Sequence, residues 1–188
     1  MEKRIMSILL VLSMVLTLLP MTALAENVTW TIIGNSSFNA DGSIALSENG
    51  KSYKLVENVD CSLIRVNENS TLDLNGFQLE QNGTEFSCLI HITDGHSLTL
   101  IDSSEGKTGK IISEGTTPVL GIGQNGKLYT QGVTIIGNVT NKGQIFGGTF
   151  EGTITGNAPH VTSSGTETAP YQISTADGLK WFRDKVNG

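Results

Sequence analysis

The sequence predicts an all-β chain wound as a β-solenoid of about four coils, with a strand capping its start and a short helix at its end. Three observations predict it: the composition, a gap-free internal repeat, and the patterning of the two flanks. Of 188 residues 22 are glycine and only 16% are charged. Short β-branched runs alternate with clusters of Asn, Gly, Ser and Thr. That mixture suits many short strands joined by turns, but it also suits an unstructured stalk unless a period runs through it.

The chain opens with a segment that reads as a secretory signal peptide, residues 1–25. Glu2, Lys3 and Arg4 give a charged start of net positive character, and Ile5 to Leu19 is apolar except at Ser7, Ser13 and Thr17. Pro20 ends the run, and Ala23-Leu24-Ala25 supplies the small-x-small pattern for cleavage near Ala25. The run is shorter than the roughly 20 residues that span a bilayer; a retained N-terminal anchor is the rival reading. No second long apolar run follows, so the mature chain is expected to carry no transmembrane segment and to be secreted or held at the cell surface. Beyond residue 25 there are 10 basic and 17 acidic side chains. Such a balance argues against a nucleic-acid partner, which needs a basic face to displace counterions.

Next, Val28, Trp30 and Ile32 alternate with Thr29 and Thr31. This is the pattern of a half-buried strand, expected to cap the first coil with those three side chains inward. The repeat follows. Residues 63–74 (LIRVNENSTLDL), 89–100 (LIHITDGHSLTL), 119–130 (VLGIGQNGKLYT) and 136–147 (IGNVTNKGQIFG) superimpose without gaps. Three columns are aliphatic in every copy: Leu63, Leu89, Val119, Ile136; Val66, Ile92, Ile122, Val139; and Leu72, Leu98, Leu128, Ile145. Asn69, Gly95, Asn125 and Gly143 mark a turn between the second column and the third. The copies start 26, 30 and 17 residues apart, as when constant strands are joined by loops of variable length. A leucine-rich repeat would need a helical segment that these copies lack, and a β-sandwich would not need the repeat at all. The domain is expected over 26–160. Residues 161–188 then form a linker and a short helix, N-capped by Thr175 and covering the last coil with Leu179, Phe182 and Val186.

The phrases STLDLNGFQL (70–79), SLTLIDSSEGKTGKI (97–111) and GGTFEG (147–152) resemble the right-handed parallel β-helix of bacterial secreted and surface proteins. That group is pectate-lyase-like in fold and usually serves as modules of larger adhesin-type proteins. The resemblance implies a right-handed coil and cell-surface display. The segment 171–188 resembles the helical lead-in to a further module, which leaves two readings of it: a terminal cap, or the opening of a domain that is missing.

Enzymes of the resembled fold that cleave pectin carry clustered carboxylates on the outside of the coil. The seven aspartates here are scattered, so only stacking can assemble a site. One column, two residues past the second aliphatic position, holds Glu68, Asp94, Gln124 and Asn141. Its first two members would lie about 5 Å apart on neighbouring coils, near a retaining glycosidase pair, and could share a calcium ion. A solvated acidic turn is the plainer account. Arg65 and His91 share an adjacent column. A second column, Asp73, Thr99, Tyr129 and Phe146, alternates with the buried leucines and so faces outward; a polar start leading into stacked aromatics could bind sugar. The other account of it is ordinary exposure, with Phe146 packed under a loop. Gly106-Lys107-Thr108 ends like a phosphate-binding loop but has Ile101 where its first glycine belongs. His91, His96 and His160 lack metal-ligand spacing, and no cofactor is implied. Sequons at Asn27, Asn35, Asn69, Asn82 and Asn138 fit an extracellular chain. Cys61 and Cys88 fall one residue out of register, pointing to opposite faces, and whether they pair stays open.

The expectation is therefore a non-catalytic secreted or surface-displayed module, adhesin-like, with weak affinity for an extracellular glycan or a host-surface component. The alternatives are a polysaccharide lyase or glycosidase, and a structural spacer or fragment of a larger surface protein.

Overall fold

The computed structural model describes residues 28–83, 86–113, 115–163, 167 and 170–187; the signal segment 1–25 lies outside them. The chain begins with β1 (Trp30–Ile33), a 3-10 turn (Asn35–Ser37), β2 (Ser43–Leu46), β3 (Lys51–Leu55) and β4 (Val59–Cys61). It continues through β5 (Leu63–Val66), β6 (Ser70–Asp73), β7 (Gln78–Gln81), β8 (Ile90–Ile92), β9 (Ser97–Ile101) and β10 (Lys110–Ile112). Then come β11 (Leu120–Ile122), β12 (Lys127–Gln131), β13 (Thr134–Ile136), β14 (Val139–Asn141), β15 (Gln144–Phe146) and β16 (Thr149–Glu151). Last are β17 (Ile154–Gly156), β18 (Val161–Thr162), β19 (Gln172–Ile173) and the helix α1 (Ala176–Asn187).

These strands form three parallel sheets in a solenoid-like fold. From β2 onward they visit the sheets in strict rotation: sheet I takes β2, β5, β8, β11, β14 and β17, and sheet II takes β3, β6, β9, β12, β15 and β18. Sheet III takes β4, β7, β10, β13 and β16. β1 extends sheet II at its start, and β19 closes the other end as an antiparallel partner of β18. Each strand therefore lies on its counterpart one round earlier, and like side chains stack. The inner column of sheet I runs Ile64, Ile90, Leu120, Val139 and Ile154. That of sheet III runs Val59, Leu79, Ile111, Ile135 and Phe150. Most of these side chains are fully buried in one continuous core. No helix among the described residues is long and apolar enough to cross a membrane.

The gap-free repeat holds in part. Leu98, Leu128 and Ile145 stack as expected, but Leu72 pairs with Leu100, and Leu98 lies on Ser70. Val66, Ile92 and Ile122 also stack, yet Ile122 meets Asn141, while Val139 lies on Leu120. Ile136 belongs to β13, in another sheet. One cause covers these slips. The corner from sheet I to sheet II spans six steps from Ile92 to Leu98 and from Ile122 to Leu128, but four from Val66 to Ser70 and from Asn141 to Ile145. A difference of two preserves the inward-outward alternation of a strand, whereas a difference of one reverses it. Leu72 therefore remains fully buried despite its changed partner.

Both flanking elements turn a different face inward from the one their patterning suggested. In β1, Ile33 is buried while Ile32 is 53% exposed, and Val28 just before the strand is 49% exposed. Pairing of Trp30 with Ser52 and Ile32 with Lys54 puts both on the outer side. In α1, Thr175 does cap the helix, its Oγ1 accepting the Gly178 N–H at 3.1 Å. Leu179 and Val186, however, are 58% and 66% exposed. The helix docks instead through Gly178, Trp181 and Lys185, one residue earlier at each position. A Cβ on Gly178 would stand 2.4 Å from the His160 carbonyl, so only glycine lets the helix backbone approach β18 this closely. Trp181 stacks on Phe146 with ring centroids 5.9 Å apart, and Lys185 Nζ donates to Gln131 Oε1.

Leu98→Asp places an unpaired charge in the core and is expected to cost several kcal/mol. Thr99→Asp, on the outer side, should cost less than about 1 kcal/mol. Urea titrations of the two variants check the inward phase of β9.

Candidate functional site

The outer face of sheet II carries the aromatic strip. Thr71, Thr99, Tyr129 and Phe146 form one continuous column. Asp73 is not in it: the two-residue slip places Asp73 beside Ile101 and Lys54. The Tyr129 and Phe146 rings stack with centroids 5.3 Å apart and 16° between planes. Phe146 is only 6% exposed because it also stacks on His160 and Trp181. The upper part of the strip is thus the seat of the C-terminal helix. Tyr129, half-buried, is its last open ring, and burial pushes its hydroxyl pKa up.

Asp73 is a buried structural group. Its carboxylate pairs with Lys54 Nζ at 2.8 Å and accepts the Asn75 and Ser103 N–H groups, each at 2.9 Å. Lys54 in turn sits 4.7 Å from the Trp30 ring centroid. Burial alone would raise the Asp73 pKa; the Lys54 pair and the bonds from Ser103 and Asn75 outweigh it and hold the carboxyl below its ordinary value. Asp102 is also buried, accepting N–H bonds from Gly76, Ser104 and Gly109 at 2.8, 3.0 and 2.6 Å.

On sheet I, Arg65 and His91 are direct neighbours across β5 and β8, as the repeat implies. The column of Glu68, Asp94, Gln124 and Asn141 loses its last member, because Asn141 pairs with Ile122. Asp94 Oδ1 accepts the Gln124 N–H at 2.8 Å, while Glu68 approaches His96 Nδ1 at 3.9 Å. Asn141 lies inside, fully buried, with Oδ1 accepting the Gly143 N–H and Nδ2 donating to the Asn157 carbonyl. Among the described residues no group of three or more His, Cys, Asp or Glu is placed to hold a metal ion.

Sequence reasoning missed a notch on this face. The outward column of sheet I reads Ala45, Arg65, His91, Gly121, Thr140, Thr155, and Gly121 leaves a gap in it. A Cβ there would meet Cys88 Sγ at 2.9 Å and His91 Cδ2 at 3.6 Å. Around the gap is an open cavity of about 260 Å³, with Cys88, His91, Asp94, Thr140 and Lys142 among its lining. The signal was the pair of glycines in VLGIG (119–123), which the repeat treated as interchangeable with side chains. Burial, then the nearby Arg65 charge, depresses the His91 pKa, with Asp94 opposing. Both cysteines are free. Cys61 belongs to the central cluster, and burial pushes its thiol up to about 12; Cys88 is also buried but lines the notch, with its pKa likewise raised by burial.

Compared with protein families, curated proteins and solved structures, the chain matches none of them. The three parallel sheets stand on the geometry alone.

Two outcomes are expected. The depressed Asp73 pKa stabilises the fold above the ordinary carboxylate value and ceases to do so as pH falls through the folded value. Urea midpoints should therefore drop below about pH 4, and Asp73→Asn should be less stable at pH 7 with a flatter acid limb. Thiol alkylation at pH 8, read by mass spectrometry, should modify Cys88 before Cys61 and find no disulfide.

Proposed function

We propose that this chain is a non-catalytic, exported or surface-displayed module of adhesin type. In this reading the three sheets wind as a right-handed parallel β-helix; crossovers between parallel strands are right-handed in nearly all proteins. The fifteen strands from β2 to β16 make five rounds of three, with β17 and β18 beginning a sixth. Its role is to hold outer faces rigidly where a weakly bound extracellular glycan can meet them.

The observation that supports this is where the side-chain oxygens are committed. At the corners, where the strand ladder lapses, side chains of one round accept N–H groups of a neighbouring round. Asn58 takes Gln78, Asn69 takes Ser97, Asp73 takes Ser103 and Asp94 takes Gln124. Asp102 takes Gly76 in the opposite direction. Acid-base cleavage of a glycosidic bond calls for two carboxyl groups facing a common substrate; here Asp73, Asp94 and Asp102 are engaged in tying rounds together.

The purified protein, incubated with polygalacturonate and neutral polysaccharides with and without calcium, is expected to release no reducing ends or unsaturated products. Cleavage that disappears in Asp94→Asn would overturn the non-catalytic reading in favour of a lyase or glycosidase.

A further inference from the structure

The short corner at Lys142-Gly143 lies directly on the longer corner 123–126. The Lys142 N–H donates to the Ile122 carbonyl and the Gln144 N–H to the Gly126 carbonyl, each at 2.9 Å. A Cβ on Gly143 would stand 2.1 Å from the Gly126 oxygen, so the short corner is pressed flat against the long one. Because it is two residues shorter, it leaves a ledge along the junction of sheets I and II.

Three cavities meet on that ledge. The notch of about 260 Å³ at Gly121 adjoins one of about 470 Å³ at Gln124 and Asn157, and a third of about 480 Å³ lies over Asn125, Lys127 and Gln144. Lys142 lines all three. Both Lys127 and Lys142 are exposed, and among the described residues neither ammonium forms an ion pair. Asp94, the carboxylate on the ledge, is turned to the Gln124 backbone. In a chain of net charge −6, two unpaired lysines lining one cavity are a local positive field. Around them are the side-chain amides of Gln124, Asn125 and Gln144, with no hydrogen-bond partner among the described residues, and Asn157.

We propose that this ledge binds a sulfate or phosphate ester carried on a hydroxylated chain. The oxyanion lies between Lys127 and Lys142, and the hydroxyls are met by Gln124, Asn125 and Gln144. The two lysines act as point charges, which hold a phosphate or sulfate oxyanion without the planar fork of an arginine. The proposal rests on the reading of the chain as a glycan-contacting module and gives that contact a location and a charge.

The test is binding of four probes to the purified protein by biolayer interferometry: a sulfated tetrasaccharide, a glycerol-phosphate oligomer, tetragalacturonate and a neutral tetrasaccharide. The sulfated or the phosphorylated probe is expected to bind, which of the two identifying the source, with affinity weakened about tenfold in Lys142→Gln and again in Lys127→Gln. Lys110→Gln, an equal charge change on sheet III, should leave binding unaltered. All three lysines are exposed, and unchanged thermal midpoints verify folding. Binding unaffected by the ledge variants overturns the location, and tetragalacturonate binding as tightly as the esters overturns the tetrahedral assignment. Absence of binding by both esters overturns the proposal, and neutral-probe binding in the same run leaves the broader module reading standing.

Discussion

Backbone hydrogen bonding between successive rounds governs this molecule. A parallel strand can neither slide nor turn over without carrying its side chains off the column beneath, so each round inherits its inward face from the one before. Freedom remains at the corners, and even there it is quantised. Corner lengths from sheet I to sheet II differ by two residues, never by one, among the four rounds from β5 to β15. The aliphatic interior survives because an even change keeps alternation in phase.

The polar side chains follow from the same constraint. Where the ladder lapses at a corner, backbone N–H groups still need acceptors, and Asn and Asp supply them from the adjacent round. This explains why a sequence with few charges buries Asp73 and Asp102 almost completely. Asp73 needs a counter-charge as well, which Lys54 supplies from the strand beneath while resting on Trp30. Carboxylates placed this way tie the rounds together, whereas Lys127 and Lys142, which form no ion pair among the described residues, line the ledge where two corner lengths meet.

Much of the interior was legible in the sequence because the inner columns depend only on residue type and period. Leu98, Leu128 and Ile145 were aligned correctly. Leu72 and Ile136 were not, since a gap-free alignment has no means of registering a shortened corner. The two flanks were placed correctly and rotated wrongly. Their apolar residues mark a stripe, but in β1 that stripe faces outward, where Trp30 lies under Lys54, and α1 docks on the outer face of sheet II, where Trp181 meets Phe146. Contacts between aromatic rings and a lysine stem do not register as an aliphatic period. Docking through Gly178 is still harder to read, because it depends on a missing side chain. The same holds for the Gly121 notch, where a gap rather than a group makes the site.

The stacked arrangement also bears on how the chain finds its structure. Inner partners in sheet I, from Ile64 to Ile154, lie between 15 and 30 residues apart along the chain. Closure entropy rises only slowly with loop length, so each round costs about as much to close as the last. Once one round has formed, the next has a complete template and no distant contact to await. Folding can then nucleate at any round and advance as a front along the stack.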